Sequence, residues 1–504
     1  MNRVSLQRQA ILGGIIAIGL YLTQVWLFSA FNVDDVFITF RFVKQWNAGS
    51  GLVYNVGEFV EGYSNFLWIA LLAPLDRLNE SLVTSAKLVG VTLGLLTLGV
   101  TCYTTQRWRF PWIATLLLAS TPAFAVWSVS GLETPLFTFL LLSATTVFLY
   151  EEKQERGWAS GILFALLALT RPEGLMFGAV TAFYRAMVLF RERRRPAVHD
   201  YARLLSWLLP VTIYYLWRWQ YYGYWLPNTM YAKSMGFHVR AILEGIYYLY
   251  GGVNAFGGLF FFAIPLVGIL MKWRFPSQAV LLLQLIFAQF ALILVSGGDW
   301  MPFWRFWVHI LPLAYLLIHQ GLVALGEGWP KPTILVPLLV IGQCIFLLIG
   351  AFDARFVQGI GAGAVLSPPS AQVTYLVDHV EPEDTIAVID AGRVAYELPL
   401  SVRIVDMVGL TDQHIAHIPP QFPGGLSGRG DAFGKWDIEY VLSQEPRFIQ
   451  VNITSKREGS VLTNFTGTTL LVNHPVFRRS YGSVDAPGVD GLFVRQGAVP
   501  GRTP

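Results

Sequence analysis

Residues 10–42 read AILGGIIAIGLYLTQVWLFSAFNVDDVFITFRF, an uncharged apolar run that passes directly into the adjacent carboxylates Asp34 and Asp35. A membrane-spanning helix needs about 20 mostly apolar residues, so 10–31 predicts a first span followed by an acidic loop. Arg3 and Arg8 precede the run as in a signal peptide, but Phe28 breaks the small-x-small pattern of a cleavage site. We therefore expect an uncleaved helix.

The composition of the whole chain agrees with a membrane protein. Of 504 residues, 54% are hydrophobic and 13% are charged, which is about half the charged share of soluble domains. These values exclude a disordered chain, a collagen-like chain and an ordinary cytosolic enzyme. The net charge of +4 is too small to indicate a nucleic-acid partner. Cys102 and Cys344 lie in apolar runs, so we expect no disulfide framework and no thiolate metal site.

Similar apolar runs recur through residue 352 and predict an α-helical polytopic membrane protein with about eleven transmembrane helices. A further apolar stretch, 64–78, is shorter, at about 15 residues. The predicted spans are 10–31, 82–105, 111–128, 132–150, 157–171, 174–190, 204–222, 253–272, 277–296, 306–325 and 333–352.

The basic residues decide whether 64–78 crosses the membrane. Lys and Arg collect in cytoplasmic loops, and the basic clusters share one side only if 64–78 is a juxtamembrane helix in the outer interface. The N-terminus is then cytoplasmic. The clusters that this places in the cytoplasm include Arg107 and Arg109, Lys153 and Arg156, Arg191, Arg193, Arg194, Arg195 and Arg203, Lys272 and Arg274, and Lys331.

The pattern changes after the last predicted span. Residues 353–371 are rich in Gly, Pro and Ser and are predicted to be a linker. Residues 372–504 contain short β-rich runs separated by turn residues such as 423–430, which predicts a small α/β domain. An odd number of spans places this domain outside the cytoplasm. The predicted strands are 385–390, 403–408, 448–452 and 491–496.

Six polar motifs in or beside the predicted spans all fall on the outer side. Polar groups at such positions are costly and usually functional, so the motifs predict one polar site outside the cytoplasm. They are FNVDDVFITFRF at 31–42, VEGYSNFLW at 60–68, SGLET at 130–134, TRPEG at 170–174, LPNTMYAK at 226–233 and GGDWMPFWRF at 297–306.

The acidic pair Asp34 and Asp35 allows three interpretations. Two adjacent carboxylates repel, which raises one pKa and suits a base that takes a proton from a hydroxyl nucleophile. The pair could also hold a divalent cation such as Mg²⁺ or Mn²⁺ through its oxygens. The third interpretation is a helix N-cap with an acidic first turn.

The remaining outer charges suit a substrate with a phosphate head and a lipid tail. Arg171, Lys233 and Arg305 are candidates for a phosphate pocket, although single cations there also face lipid phosphates. Glu133 could merely cap a helix, Arg171 and Glu173 could be a surface pair, and His309 could be a packing histidine. Motifs for nucleotide hydrolysis, dinucleotide redox chemistry and zinc hydrolysis do not occur in the sequence.

The six motifs together resemble the GT-C superfamily of integral membrane glycosyltransferases, which carry an acidic pair in the first outer loop. More narrowly, they are similar to a bacterial family that includes the mycobacterial terminal arabinofuranosyltransferase, whose donor is decaprenyl-phospho-arabinose. The similarity covers about residues 30–310 and continues weakly at DAG (390–392) and DMVGLTD (406–412). GGDWMPFWRF departs from the Gly-Gly-Asp-aromatic-Met-His pattern of the arabinosyl enzyme, because Pro302 and Phe303 follow Met301.

The resemblance implies a sugar transfer from a polyprenyl-phosphate donor, with arabinofuranose as one candidate, at the outer face of a bacterial inner membrane. Asp34 and Asp35 would be catalytic, and Arg305, Lys233 and Arg171 would bind the donor phosphate. The acceptor would be an envelope glycan or a surface protein of the pilin or flagellin type. The other candidates for substrate binding are Glu61, Tyr63, Asn65, Glu133, Glu173, Asn228, Asp299 and His309.

Two other classes of protein stay open. A transporter or flippase for a lipid-linked sugar would show ionisable residues at mid-membrane and repeat symmetry, whereas the acids here lie at one edge and no repeat is visible. A non-enzymatic scaffold would use the C-terminal domain to bind a partner. The stereochemical outcome also stays open, because a direct displacement inverts the anomeric centre and a β-to-β arabinosyl transfer retains it.

Overall fold

A computed structural model describes residues 3–78, 81–233, 239–258, 263, 277–327, 331–353, 356–360, 370–421, 434–457 and 460–497. The predicted span 253–272, the linker and the turn at 423–430 lie wholly or largely outside the described residues.

Helices dominate the described chain up to residue 350, and short helices alternate with strands after residue 370. The described helices that start before residue 200 are α1 Arg3–Leu27, α2 Asp35–Asn47, α3 Phe66–Asp76, α4 Leu82–Thr105, α5 Ile113–Ala119, α6 Pro122–Val129, α7 Thr134–Gln154, α8 Ala159–Thr170, α9 Gly174–Glu192 and α10 Val198–Tyr222. The later ones are α11 Asn228–Lys233, α12 Val239–Ala255, α13 Ser277–Ser296, α14 Arg305–Val308, α15 Leu311–Gly326, α16 Pro332–Gly350, α17 Ala371–His379, α18 Arg393–Glu397, α19 Gln413–His417, α20 Ile438–Ser443, α21 Thr466–Asn473 and α22 Pro475–Ser480.

Six of the described helices are long and apolar enough to cross a membrane. They are Val4–Leu27, Leu82–Thr105, Thr134–Gln154, Gly174–Glu192, Gln278–Ser296 and Pro332–Gly350. Each coincides with a predicted span, so the predicted class of α-helical polytopic membrane protein is confirmed. The stretch 64–78 forms α3, and its 11 residues extend about 17 Å, too short for a hydrocarbon core of about 30 Å.

Two predicted spans are not the continuous helices that their composition suggested. The run 111–128 is divided into α5 and α6, because Thr121 before Pro122 is extended (φ −90°, ψ 109°), as the proline ring requires of the preceding residue. The run 306–325 is divided into α14 and α15 by a turn at His309 and Ile310, and Pro312 lies in the first turn of α15. The hydropathy of the sequence shows neither of these two breaks.

The chain forms two compact units. Unit 1 contains residues 1–31, 83–216 and 242–364 and is a helical bundle. In its interior, Phe31 packs edge-on against Trp127 at 6.0 Å and against Phe303 at 5.4 Å between ring centroids. Unit 2 contains residues 32–82, 217–241 and 365–504. The first outer loop and the segment before α12 therefore belong to the same unit as the C-terminal α/β region.

Unit 2 is built on a mixed five-stranded sheet with the order β2-β1-β3-β7-β6. Strands β2 and β3 lie parallel to β1, β7 is antiparallel to β3, and β6 is antiparallel to β7. Four of the strands begin within the predicted runs, and β4 pairs separately with β5. The strands are β1 Thr385–Val388, β2 Arg403–Asp406, β3 Phe448–Gln450, β4 Ile453–Arg457, β5 Ser460–Thr463, β6 Tyr481–Ser483 and β7 Leu492–Arg495.

The edge strand β2 is covered by the first outer loop. The Asn55 amide donates to the Ile404 carbonyl at 2.9 Å and accepts the Ile404 N–H at 3.0 Å. Glu58 forms an ion pair with Arg403 at 2.6 Å beside it. An exposed strand edge invites pairing with another chain, so these side chains supply the partner that the sheet lacks.

Candidate functional site

The side chain of Asp34, in the predicted first outer loop, is hydrogen-bonded to the DAG loop (390–392) of the α/β region. Asp34 stands at the N-cap position of α2 but makes no side-chain bond to that helix. Instead its Oδ2 accepts the Gly392 N–H at 3.0 Å and its Oδ1 accepts the Arg393 N–H at 2.8 Å. A Cβ at Gly392 would overlap the carbonyl oxygen and Oδ2 of Asp34, so this approach requires glycine.

The surroundings of Asp34 raise its pKa, so its carboxyl group loses its proton less readily than one in water. Burial, with the nearby carboxylates Asp390 and Asp35, raises the Asp34 pKa to about 7, and the two backbone N–H groups only partly oppose this. Asp390 in turn accepts Nδ2 of Asn452 at 2.9 Å and Nε2 of Gln450 at 3.1 Å. A carboxylate with a pKa near neutrality suits general-base work.

The described residues do not fit a divalent cation held by the acidic pair. Both oxygens of Asp34 already accept backbone N–H groups. Within the described ranges, no three His, Cys, Asp or Glu side chains are grouped as a metal site would need. No chemical step is therefore derived through a metal.

Arg41, in the same motif as the acidic pair, is a residue that sequence reasoning missed. Its side chain is fully buried and donates from Nε to the Tyr54 carbonyl at 3.0 Å, from Nη2 to the Val402 carbonyl at 2.8 Å, and from Nη1 to the Ala395 carbonyl. The Tyr54 hydroxyl donates to the Ala391 carbonyl. The acceptors are backbone groups, which no residue pattern marks.

The VEGYSN segment contributes three of the predicted substrate residues, and the structure gives each a protein partner. Oε2 of Glu61 lies 3.2 Å from Nε of Arg218, and both side chains are buried. Burial raises the Glu61 pKa to about 8, with Arg218 opposing it. Tyr63 and Tyr222 hydroxyls lie 3.0 Å apart. The Asn65 amide donates to the Thr39 hydroxyl at 3.1 Å.

The side chain of Asn228 is hydrogen-bonded to the DMVGLTD turn (406–412). Its amide nitrogen lies within 3.0–3.1 Å of the carbonyls of Gly409, Leu410 and Asp412. Its backbone N–H donates to the Glu61 carbonyl at 3.0 Å. The motifs LPNTMYAK, VEGYSNFLW and DMVGLTD therefore meet in unit 2.

Asp406 and Asp412 are buried and hydrogen-bonded within the DMVGLTD turn. Asp406 is fully buried and accepts the N–H groups of Val408 at 2.9 Å and Thr411 at 2.8 Å. Burial raises its pKa to about 6. Asp412 caps α19 through the Ile415 N–H and accepts the Tyr440 hydroxyl at 2.9 Å. Both carboxylates hold the turn together.

The predicted site residues of unit 1 gather around two arginines, Arg171 and Arg305. Nη1 of Arg171 lies 2.5 Å from Oε1 of Glu133, and its Nε pairs with Glu173. Glu133 makes no side-chain cap bond to α7, so capping does not describe it. The Arg171 and Glu173 side chains are only 13% and 12% exposed, so they are not a surface pair.

Arg305 forms the second half of this arginine cluster. Its Nε lies 2.7 Å from Oδ2 of Asp299. The guanidinium carbons of Arg171 and Arg305 lie 5.8 and 5.4 Å from the centre of the Phe306 ring, so the two arginines flank one aromatic side chain. The arginine cluster thus brings together motifs SGLET, TRPEG and GGDWMPFWRF within one unit.

His309 is buried in the arginine cluster without being satisfied. Its ring lies 4.5 Å from the Phe137 ring and 5.9 Å from the Phe306 ring. Neither ring nitrogen has a hydrogen-bond partner in the part of the chain that the structure describes. An unpaired buried polar group is costly, which favours a ligand over simple packing.

The three predicted phosphate-binding cations do not all lie in one unit. Arg171 and Arg305 belong to unit 1, and Lys233 is the last residue of α11 in unit 2. Lys233 is half-buried. The structure therefore unites two of the three cations around Phe306.

The comparisons with known sequences concern only the C-terminal part. Residues 365–485 match a family described as a domain of unknown function (DUF8728). No curated protein sequence matches the chain.

Solved structures match nearly the whole chain. ArnT from Cupriavidus metallidurans bound to undecaprenyl phosphate aligns with a TM-score of 0.62 over 98% of this chain and 99% of its own, at 12% identity. The same protein in the apo state aligns at 0.57, over 81% and 90%, at 13% identity. The apo oligosaccharyltransferase of Archaeoglobus fulgidus aligns at 0.52, over 99% of this chain and 75% of its own, at 12% identity. These alignments establish the fold.

Proposed function

We propose that this chain, which has the GT-C fold of these structures, is a membrane glycosyltransferase that moves a sugar from a polyprenyl-phosphate donor to an acceptor hydroxyl. The observation that carries the proposal is the alignment over 98% of this chain with ArnT bound to undecaprenyl phosphate. The reaction takes place on the outer face of a bacterial inner membrane, with the C-terminal domain on that side.

Arabinofuranose is the candidate sugar that the motif resemblance favours. The acceptor is an envelope glycan or a surface protein of the pilin or flagellin type. Asp34 or Asp35 takes the proton from the acceptor hydroxyl as the sugar is transferred, and the polyprenyl phosphate leaves. The pKa of about 7 at Asp34 supports this role, because a base works best when its pKa lies near the working pH.

The donor phosphate is bound by Arg305 and Arg171 of unit 1, whereas Lys233 of unit 2 stays a candidate from the sequence alone. The burial of both arginines supports this role, since charge-assisted bonds to phosphate strengthen where water is excluded. His309, with both ring nitrogens unpaired among the described residues, is available to a substrate oxygen. Glu133, Glu173 and Asp299 orient the two arginines.

The test is a transfer assay with purified enzyme in lipid nanodiscs, labelled polyprenyl-phosphate sugars and an envelope-glycan acceptor. Asp34→Asn and Asp35→Asn are compared with wild type, and Asp378→Asn, an exposed carboxylate of α17, is the matched control. We expect labelled product from wild type and the control, and at least a hundredfold loss in one of the two acid variants.

Near wild-type turnover in both acid variants would contradict the catalytic role of the pair. Movement of labelled lipid-linked sugar across liposomes without transfer would favour the transporter. A deletion phenotype that the double Asp34/Asp35 variant rescues would favour the scaffold.

A further inference from the structure

A half-open cavity of about 160 Å³ lies in unit 1 and is lined by residues of α7, α8, α9 and α10. Its wall is mainly apolar. An apolar cavity of about 150 Å³ can admit a benzene-sized molecule, so this one has room for a segment of hydrocarbon chain. The side chains that form the wall include Phe148, Phe164, Ala182, Leu189, Leu204 and Trp207.

Two polar atoms of this wall lack a hydrogen-bond partner within the described ranges, Nε1 of Trp207 and Nε of Arg203. Trp207 is 9% exposed, and its indole lies against Gly178 of α9. Neither nitrogen is accessible from the cavity. The cavity therefore presents an apolar wall and suits a hydrocarbon chain.

The charged residues at the cavity are already neutralised by one another. Arg185 pairs with Glu152 at 2.8 Å and with Asp200 at 2.7 Å. Arg203 pairs with Glu152 at 2.8 Å and lies 3.5 Å from Glu151. Three carboxylates face these two arginines, so an anionic headgroup would gain nothing from binding deep in the cavity.

The rim of the cavity has the opposite character. Residues 191–195 have the sequence RERRR and connect two wall residues, Leu189 and Pro196. All five side chains are exposed, and they carry four positive charges against one negative charge. This rim lies at the end of α9 that the charge pattern places in the cytoplasm, where anionic lipids attract basic segments.

We propose that the α7–α10 cavity is a binding site for one anionic glycerophospholipid of the cytoplasmic leaflet. One acyl chain occupies the apolar cavity beside Trp207, and the headgroup phosphate contacts the arginines of 191–195. Phe190 and Val198, which are 86% and 85% exposed, flank the rim and enter the bilayer interface. The site is independent of the proposed sugar transfer.

The test is native mass spectrometry of the full chain after reconstitution with equal amounts of phosphatidylglycerol and phosphatidylethanolamine. Wild type should retain one phosphatidylglycerol, with at least a fivefold preference over phosphatidylethanolamine. Trp207→Phe removes part of the apolar ring surface of the wall together with the N–H and should reduce retention severalfold. Arg191→Gln, Arg193→Gln and Arg195→Gln together should bring the preference close to one. Ala182→Leu fills the cavity and should abolish retention.

Two matched controls test whether the effects are specific to the cavity and its rim. Trp158→Phe removes an indole that is 61% exposed, and Arg107→Gln removes an exposed arginine of another predicted cytoplasmic loop. Both should behave as wild type. Equal retention of the two lipids by wild type would overturn the proposal, as would unchanged retention in the Trp207 and Ala182 variants. Displacement of the bound lipid by added polyprenyl phosphate would assign the cavity to the donor tail instead.

Discussion

The carboxylate of Asp34 accepts the backbone N–H of Arg393 at 2.8 Å, although the two residues are 359 positions apart. With the Gly392 N–H on its other oxygen, Asp34 holds the first turn of α18. The acidic pair of the first outer loop is therefore also a structural contact of the α/β region, and each of its roles can be tested separately.

Gly392→Ala tests the structural role without changing a charge. The new Cβ would overlap Asp34, so both bonds to the carboxylate should be lost. Bonds to charged acceptors contribute about 1.5–3 kcal/mol each, and we expect unit 2 to lose about 3 kcal/mol in thermal unfolding. Gly482→Ala, where the nearest atom lies 3.9 Å away, is the control. Equal midpoints for the two variants would refute the contact.

Asp34 should contribute to the change of the free energy of unfolding with pH. Its pKa is about 7 in the folded protein, against 3.8 ordinarily. The folded state therefore retains a proton that the unfolded chain releases, so this contribution is complete below pH 3.8 and is lost as the pH rises through 7. Glu61 and Asp406 act in the same direction.

Asp34→Asn should reduce, but not abolish, the fall in unfolding temperature between pH 5 and pH 8. Asp378→Asn should leave the fall unchanged. If Asp34 is also the base, the rise of kcat with pH near 7 disappears in the same variant. A pH profile of stability identical to that of wild type would show that Asp34 does not retain the proton.

Asn55→Ala tests the cover on the sheet edge. It removes both bonds to Ile404 and should cost about 2 kcal/mol. Hydrogen–deuterium exchange of the peptide that contains β2 should accelerate at least tenfold at the Ile404 amide. Asn464→Ala, an exposed asparagine of the same unit, should not change it. Unaltered exchange in Asn55→Ala would mean that the edge is protected by other groups.

Arg171 should be coupled to Glu133 in a double-mutant cycle. Arg171→Gln removes the cation that pairs with Glu133 and Glu173, and breaking a buried ion pair costs about 3–5 kcal/mol. Glu133→Gln added to Arg171→Gln should cost much less than it does alone. The measurement is the unfolding temperature of the four proteins, and additive losses would argue against the pair.

Arg305→Lys separates phosphate binding from packing. The lysine keeps the charge but loses the planar fork that suits phosphate, so we expect KM for the polyprenyl-phosphate donor to rise about tenfold. That rise corresponds to about 1.4 kcal/mol, with little change in kcat. Arg107→Lys is the control. A fall in kcat at unchanged KM would move Arg305 from donor binding to the chemical step.

The helices and the central strands were accessible to sequence reasoning because their signal is local. A run such as 82–105 is mostly apolar over its whole length, and its helix has the same bounds. The strands β1, β2, β3 and β7 lie within the β-rich runs predicted for them. Strands β4 and β5 were missed, since their sequences ITSKR and SVLT are too polar to stand out. The breaks before Pro122 and Pro312 were missed because hydropathy averages over a single proline.

The amino-acid sequence by itself determined that this protein spans a membrane and that an α/β region follows the last span. Only the tertiary structure decided what the motif residues contact. The side chains of Asp34, Arg41 and Asn228 bind backbone N–H or carbonyl groups at sequence separations of 181 to 361 residues, apart from the bond between Arg41 and Tyr54. Nearly every residue has such backbone groups, so no pattern of side chains predicts which of them the fold brings together.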